Sequence, residues 1–170
     1  MSEFSNTPLK LEDIPDFKDV KLQPIHPGFK NILIIRFSIG LIVTGLLIAV
    51  LFVFILLPLW IPLLVSVLSL LIFTMIYMEF FIGFPIRQFA LRELDIIYRH
   101  GFFVTKETIV PFSRIQHIEI KQDLLMRQYK LYALAIYTAG ESTGDLKISG
   151  LDLDTAQKLK SKVLHKVKDE

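Results

Sequence analysis

Apolar and polar positions divide this chain into stretches of different rhythm. Arg36 is followed by 42 residues without a Lys, Arg, Asp or Glu before Glu79, whereas from Arg87 onward apolar and polar residues alternate in short runs. At about 1.5 Å per residue, one helix over the uncharged run would measure roughly 63 Å, about twice the hydrocarbon core of a bilayer. Two antiparallel helices match that length. The break falls at Leu57-Pro58-Leu59-Trp60-Ile61-Pro62, where two prolines remove helix hydrogen-bond donors and the Trp60 ring suits the headgroup level as an interface anchor. The pattern predicts a transmembrane hairpin over 31–84, with helices at about 32–57 and 62–84 and a turn at 58–61. A signal peptide would be far shorter, about 7 to 15 apolar residues, and nearer the N-terminus.

Residues 1–30 form a polar N-terminal segment. Up to Lys21 its apolar residues show no sustained period, which predicts a loosely ordered lead-in. Leu22-Gln23-Pro24-Ile25-His26-Pro27-Gly28 differs. Its prolines disfavour helix at Gln23 and His26, so the segment is expected to be extended and to fix where the first membrane helix starts. His26 has no ligand spacing to His100, His117 or His165, so no metal is implied.

Residues 85–170 are enough for one small domain. Phe89 and Leu91, Ile96 and Tyr98, Ile118 and Ile120, Leu134 and Ile136, and Leu146 and Ile148 each alternate with polar neighbours, as in strands with one buried face. Turn signals lie between them at 92–95, 99–101, 104–107 and 139–145, so the strands should meander as an antiparallel sheet that curls on itself. Ala156, Leu159, Val163 and Val167 then change the period to three or four. This predicts a C-terminal amphipathic helix with Asp152 as N-cap, Asp154 in its first turn and Lys166 and Lys168 in its last. The five lysines from Lys158 to Lys168 fit either a solvated helix face or contact with an anionic membrane.

Composition adds exclusions. The chain is 52% hydrophobic and 21% charged, with no cysteine and a net charge of +2. The apolar residues are concentrated, which excludes a single soluble globule, a disordered tail and a disulfide-stapled secreted domain. The charge is too small to suggest nucleic acid. Lys18, Lys21, Lys30 and Arg36 before the hairpin, and Arg87, Arg92 and Arg99 after it, predict that both termini are cytoplasmic and that the protein is multi-pass in the plasma membrane.

Arg36 and Glu79 fringe the uncharged run, and in an antiparallel hairpin they fall at nearly the same depth. They are expected to pair as a structural ion pair with snorkelling, the alternative being a proton or ion path through Glu79.

The run Val110-Pro111-Phe112-Ser113-Arg114-Ile115-Gln116-His117-Ile118-Glu119-Ile120-Lys121-Gln122, then Leu125-Met126-Arg127, Leu134-Ala135-Ile136-Tyr137-Thr138-Ala139-Gly140 and Ile148-Ser149-Gly150-Leu151, resembles the bacterial pleckstrin-homology-like (bPH2) domain of YdbS-like membrane proteins. That family carries a two-helix hairpin before the domain and often a Leu-x-Pro-x-His-Pro segment before the hairpin, which Leu22–Pro27 resembles. The resemblance implies an α+β membrane protein of the bacterial cytoplasmic membrane. Its transmembrane hairpin would precede a pleckstrin-homology-like antiparallel split β-barrel of about seven strands, capped by the C-terminal α-helix. Where the family often has Gln-Gly-Pro-Leu and Phe-Gly-Leu-Ala, this chain has Gln122-Asp123-Leu124-Leu125 and Tyr129-Lys130-Leu131-Tyr132-Ala133. Without those glycines and the proline, the stretch from Asp123 to Tyr129 is freer to form a helical turn.

Phosphoinositide binding in eukaryotic proteins of this architecture depends on basic residues clustered at the first hairpin. Here Glu93 and Asp95 flank that turn beside a single Arg92. The acids would repel a polyphosphate, and the activity does not transfer. A second candidate surface for a partner or lipid headgroups comprises Arg114, Gln116, Lys121, Gln122, Arg127 and Lys130. Arg114 and Gln116 equally suit a structural role, satisfying the backbone where strands meet. No catalytic motif is present and no cofactor is implied; the tract from Thr138 to Gly144 reads as a connecting loop without a base. The expected function is a non-enzymatic, membrane-anchored interaction module docking a membrane-protein partner or a second copy, with Gly40 and Gly45 as close-approach points in the lipid bilayer. The alternatives are a subunit of a small oligomeric transporter or channel, for which the span supplies almost no polar residues apart from Thr44, Ser66, Ser69 and Thr74, or a lipid-headgroup-binding protein.

Overall fold

The structure, a computed structural model, describes residues 20–54, 58–138 and 146–169, with side chains to His165 but not that of residue 54. The lead-in before residue 20, residues 55–57 ahead of the turn, the loop over 139–145 and the side chains of Lys166, Val167 and Lys168 lie outside the described residues.

The uncharged run forms α1 (Phe29–Phe54) and α2 (Trp60–Tyr77), which pack together as a hairpin. Both are long and apolar enough to cross a membrane, and only 11% and 6% of their most apolar stretches lies buried inside the protein. That exposure separates them from the core helices of a soluble domain, which are mostly covered. Phe37 fills the helix interface, with its ring 5.5 Å from that of Phe73 and 5.6 Å from that of Phe81. At its barrel-proximal end α2 widens into a π-helical turn, Met78–Ile82, and a 3-10 turn, Phe84–Ile86, leads into the sheet.

The strands are β1 (Gln23–Pro24), β2 (Gln88–Leu91), β3 (Asp95–His100), β4 (Lys106–Pro111), β5 (Ile115–Lys121), β6 (Tyr132–Thr138) and β7 (Leu146–Leu151). They make two antiparallel sheets, β1-β2-β3-β4 and β5-β6-β7. The extended segment before the hairpin is thus an edge strand of the first sheet, where the missing Pro24 donor costs no ladder bond inside the sheet. Asp123 caps a short helix, α3 (Leu124–Gln128), accepting from the Met126 N–H at 2.9 Å, in the stretch where the glycines are absent. The amphipathic helix α4 (Leu153–Asp169) packs on β5 and β6 and closes the barrel with Ala156, Leu159 and Val163. Asp152 caps it, accepting from the Thr155 N–H at 2.8 Å.

The core does not respect the boundary at residues 30/31. Ile25, Phe29, Ile32 and Leu33 are all buried in the barrel cluster with Phe112, Leu134, Ile148 and Val163. The first turn of α1 therefore belongs to the barrel, and the exposed apolar surface of the helix begins at Ile34.

Candidate interaction surfaces

The junction between hairpin and barrel is built from both ends of the hairpin. Ahead of α1, Ile25 donates its N–H to the Arg87 carbonyl at 3.3 Å, and His26 donates to the Gly150 carbonyl at 2.7 Å. Gly150 has φ +84°, and a Cβ there would lie 2.8 Å from Phe29 Cβ and Cγ, so glycine is required both by the backbone and by the aromatic ring seated on it. His26 also accepts the Gly28 N–H through Nδ1 at 3.1 Å, which gives this histidine a local capping role.

The expected pairing of Arg36 with Glu79 is corrected here. Phe37 reaches both Tyr77 and Phe81, so the two charges do lie at similar depth, but their side chains leave the hairpin in different directions. The Arg36 guanidinium donates to the Asp123 carboxylate that caps α3. Glu79 accepts the backbone N–H groups of Phe102 and Phe103, at 3.1 and 3.3 Å, in the β3–β4 loop. The physical reason is that backbone donors in a tight loop and a helix cap offer each charge a partner, whereas the Phe37 ring, against Phe73, Tyr77 and Phe81, occupies the helix contact between the two charges. The π-helical turn brings the chain close to that loop at Gly83, where a Cβ would lie 2.5 Å from the Glu79 carbonyl and 2.9 Å from Phe102 Cβ. Burial opposes ionisation of Asp123, but the Met126 N–H and the Arg36 charge outweigh it and hold the carboxyl below its ordinary range.

On the outer face of the second sheet, the β5 bulge between Ile115 and His117 sets His117, Glu119 and Lys121 outward. Tyr137 lies beside them on β6, its ring stacked on His117 with centroids 4.1 Å apart. Its hydroxyl donates to Glu119 at 3.3 Å and accepts from Lys121, which also pairs with Glu119 at 2.8 Å. That hydrogen bond lowers the Glu119 pKa, and the same contact raises that of Lys121. Lys121 is therefore half of a neutralised cluster rather than a bare cation. Sequence reasoning missed His117, Glu119 and Tyr137, although the outward alternation of Glu119 and Lys121 was visible.

The other expected surface residues are exposed but do not converge. Arg114 ends the 3-10 turn just before β5 and Gln116 is the second residue of that strand, while Lys121 ends it, about 16 Å beyond Gln116 at strand rise. Arg127 lies on α3, and Lys130 follows it with φ +54°, a left-handed turn residue. Gln122 is spent on the Leu131 carbonyl at 3.1 Å. At the other end of the barrel, Arg92 is engaged by Asp95 through two hydrogen bonds. Among the described residues no group of three His, Asp or Glu side chains could hold a metal ion.

Along the hairpin, Trp60 stands exposed at the start of α2. Gly40 is used within the hairpin, since a Cβ there would meet the Phe73 ring at 3.5 Å, whereas a Cβ at Gly45 would meet nothing within 4 Å. Gly45, Thr44, Ser66 and Ser69 share a shallow cleft of about 310 Å³. The Ser66, Ser69 and Thr74 hydroxyls donate to carbonyls of their own helix, at 2.8, 2.9 and 2.8 Å.

Comparison with known proteins bears on this arrangement. A family model described as Bacterial PH domain matches residues 32–167. A curated relative, the UPF0699 transmembrane protein YdbS of Bacillus subtilis (strain 168), is 29% identical over 76 residues, covering 45% of this chain and 46% of that protein. The match thus spans about half the length of that relative. No solved structure matches.

Proposed function

The chain belongs to the bacterial PH domain family, an α+β membrane protein with a pleckstrin-homology-like barrel, and from that premise we propose that it is a non-enzymatic, membrane-anchored interaction module. The hairpin spans the plasma membrane twice with both termini cytoplasmic, and the barrel docks a membrane-protein partner at the cytoplasmic face. The partner is either a larger membrane protein with the same kind of domain or a second copy of this chain.

The observation that carries this reading is the rigid junction. Phe29 on Gly150, Arg36 with Asp123, and Glu79 with the β3–β4 loop connect both helices to the barrel. A barrel on a free tether would sample many orientations, and a partner would have to offset that lost freedom on binding. A barrel held at three points presents one face. The polar cluster of His117, Glu119, Lys121 and Tyr137, with Arg127 and Lys130 beyond it, suits that role, because its charges are matched and its two rings offer stiff contact area. A transporter gains little support, since the Ser66, Ser69 and Thr74 hydroxyls are directed to carbonyls of their own helix.

Detergent extraction of the tagged full chain, followed by pull-down and mass spectrometry, tests the proposal. A stoichiometric membrane partner lost on substituting Tyr137→Ala supports the module. A homo-oligomer with ion flux in vesicles supports the transporter. A lone inert monomer counts against both.

A further inference from the structure

We propose that the barrel itself touches the lipid bilayer, through Phe103 and Val104 of the β3–β4 loop and Leu124 of α3, which enter the interfacial layer on either side of the hairpin. This rests on the reading that α1 and α2 span the membrane.

The β3–β4 loop has unusual chemistry for a hairpin tip. Gly101 turns the chain with φ +95°, and Phe102, Phe103 and Val104 follow where turns ordinarily carry polar residues. Phe103 is 51% and Val104 78% exposed, and the rings of Phe102 and Phe103 meet edge-on at 5.2 Å. Leu124, at the start of α3, is 87% exposed. These three are not scattered. The loop is held to α2 by the Glu79 carboxylate, and α3 is held to α1 by the Arg36–Asp123 pair.

Those two charges mark the membrane boundary. From Arg36 to Phe54 and from Trp60 to Met78 the helices rise about 27 Å each, close to the ~30 Å hydrocarbon thickness. With Trp60 at the far interface, Arg36 and Glu79 lie at the near one. The backbone of Phe102 and Phe103 is within hydrogen-bond distance of Glu79, so the loop is at that same level. A carboxylate and a guanidinium at the interface each recruit a segment of the barrel whose exposed side chains are apolar, and the lipid interface is the surface that takes such side chains out of water. Lys106, exposed two residues beyond Val104, is placed to meet lipid phosphates. The opposite end of the first sheet contrasts with this one: its turn carries Arg92, Glu93 and Asp95, and the exposed Leu94 stands alone among them.

The absence of native cysteine allows a direct test. Single-cysteine variants Val104→Cys, Leu124→Cys, Leu94→Cys and Ile48→Cys of the full chain are labelled with an environment-sensitive fluorophore. They are then reconstituted into phosphatidylcholine–phosphatidylglycerol vesicles with spin-labelled lipids quenching at shallow or deep acyl positions. The expected result is deep quenching at Ile48, and shallow quenching at Val104 and Leu124 several-fold stronger than at Leu94. If Ile48 is quenched deeply while Val104 or Leu124 behaves like Leu94, the bilayer contact is overturned and the spanning hairpin stands. If Ile48 itself escapes deep quenching, both fall.

Discussion

Asp123 accepts the Arg36 guanidinium and the Met126 N–H together, so one carboxylate caps α3 and ties it to α1. The two contacts are not equal. The ion pair is about half exposed on both sides, a setting in which such pairs contribute roughly 0–1 kcal/mol, whereas loss of an N-cap costs about 0.5–2 kcal/mol. Asp123→Ala should therefore destabilise the detergent-solubilised protein more than Arg36→Ala does. A double-mutant cycle by thermal unfolding should give a coupling within the ion-pair range. Equal single effects would mean that the cap contributes nothing beyond the pair.

Gly150 and Phe29 should show strong non-additivity. Gly150→Ala places a Cβ against the Phe29 ring and forces an L-residue into a left-handed backbone, with a combined cost of about 3 kcal/mol or more. Phe29→Ala empties a core position for about 3–5 kcal/mol. In the double variant the clash with Cγ is gone, so the summed loss of stability in chemical denaturation should be clearly smaller than the two single losses added. Strict additivity would show that the two residues are not in contact.

The strands were readable because alternation reports one-sided burial. Phe89 pairs with Tyr98 and Leu91 with Ile96 on the core side, as their spacing requires. On β6 the alternation fades, since Ala133, Leu134, Ala135 and Ile136 are all buried in a central strand on which α4 also packs. The junction was much less legible. Ile25, Phe29, Ile32 and Leu33 look like lead-in and membrane residues because hydropathy cannot tell a lipid-facing position from a core position. The partners Arg36 and Asp123 are 87 residues apart, and no local period connects them. Equal depth in the hairpin correctly aligned Arg36 with Glu79, yet depth says nothing about the direction each side chain takes around its helix. In the sequence Gly150 stands only within the Ile148–Leu151 run of the family resemblance; its left-handed φ beneath Phe29 supplies the reason for a glycine there.

Stability should fall in acid through the caps. The Asp152 carboxyl is held below its ordinary value, chiefly by the Thr155 N–H, and Asp123 is lowered as well. A folded-state pKa below the unfolded one of about 3.9 gives stabilisation that is complete above that value and is lost as pH falls through the lower folded value. Thermal unfolding midpoints should hold steady from neutral pH to about 5 and then decline below about 4. Asp152→Asn, which keeps an acceptor without the titration, should flatten part of that decline. An unchanged acid slope in this variant would remove Asp152 as a contributor.

Glu79 should act on the β3–β4 loop and not on proton movement. Glu79→Ala leaves the Phe102 and Phe103 N–H groups without their acceptor, and a lost bond to a charged group costs about 1.5–3 kcal/mol locally. Hydrogen exchange at residues 102 and 103 should accelerate in Glu79→Ala. Exchange should stay near native in Glu79→Gln, whose amide oxygen can still accept. Native exchange in the alanine variant would show that the loop is held by something other than this carboxylate.

The two hairpin glycines should separate folding from association. At Gly40 a side chain has to share space with the Phe73 ring, so Gly40→Leu should loosen α1 against α2 and lower the unfolding midpoint. At Gly45 a side chain enters open space beside Thr44, Ser66 and Ser69, and the isolated chain has no packing there to lose. A helix of a partner or of a second copy gains its closest approach at such small residues, and a leucine would hold it away. Gly45→Leu should therefore leave the unfolding midpoint unchanged while weakening recovery of the stoichiometric membrane partner, or resonance energy transfer between labelled copies, several-fold. If both glycine variants shift the midpoint equally and association survives in Gly45→Leu, this face of α1 contacts lipid alone and the barrel must supply the whole of the docking surface.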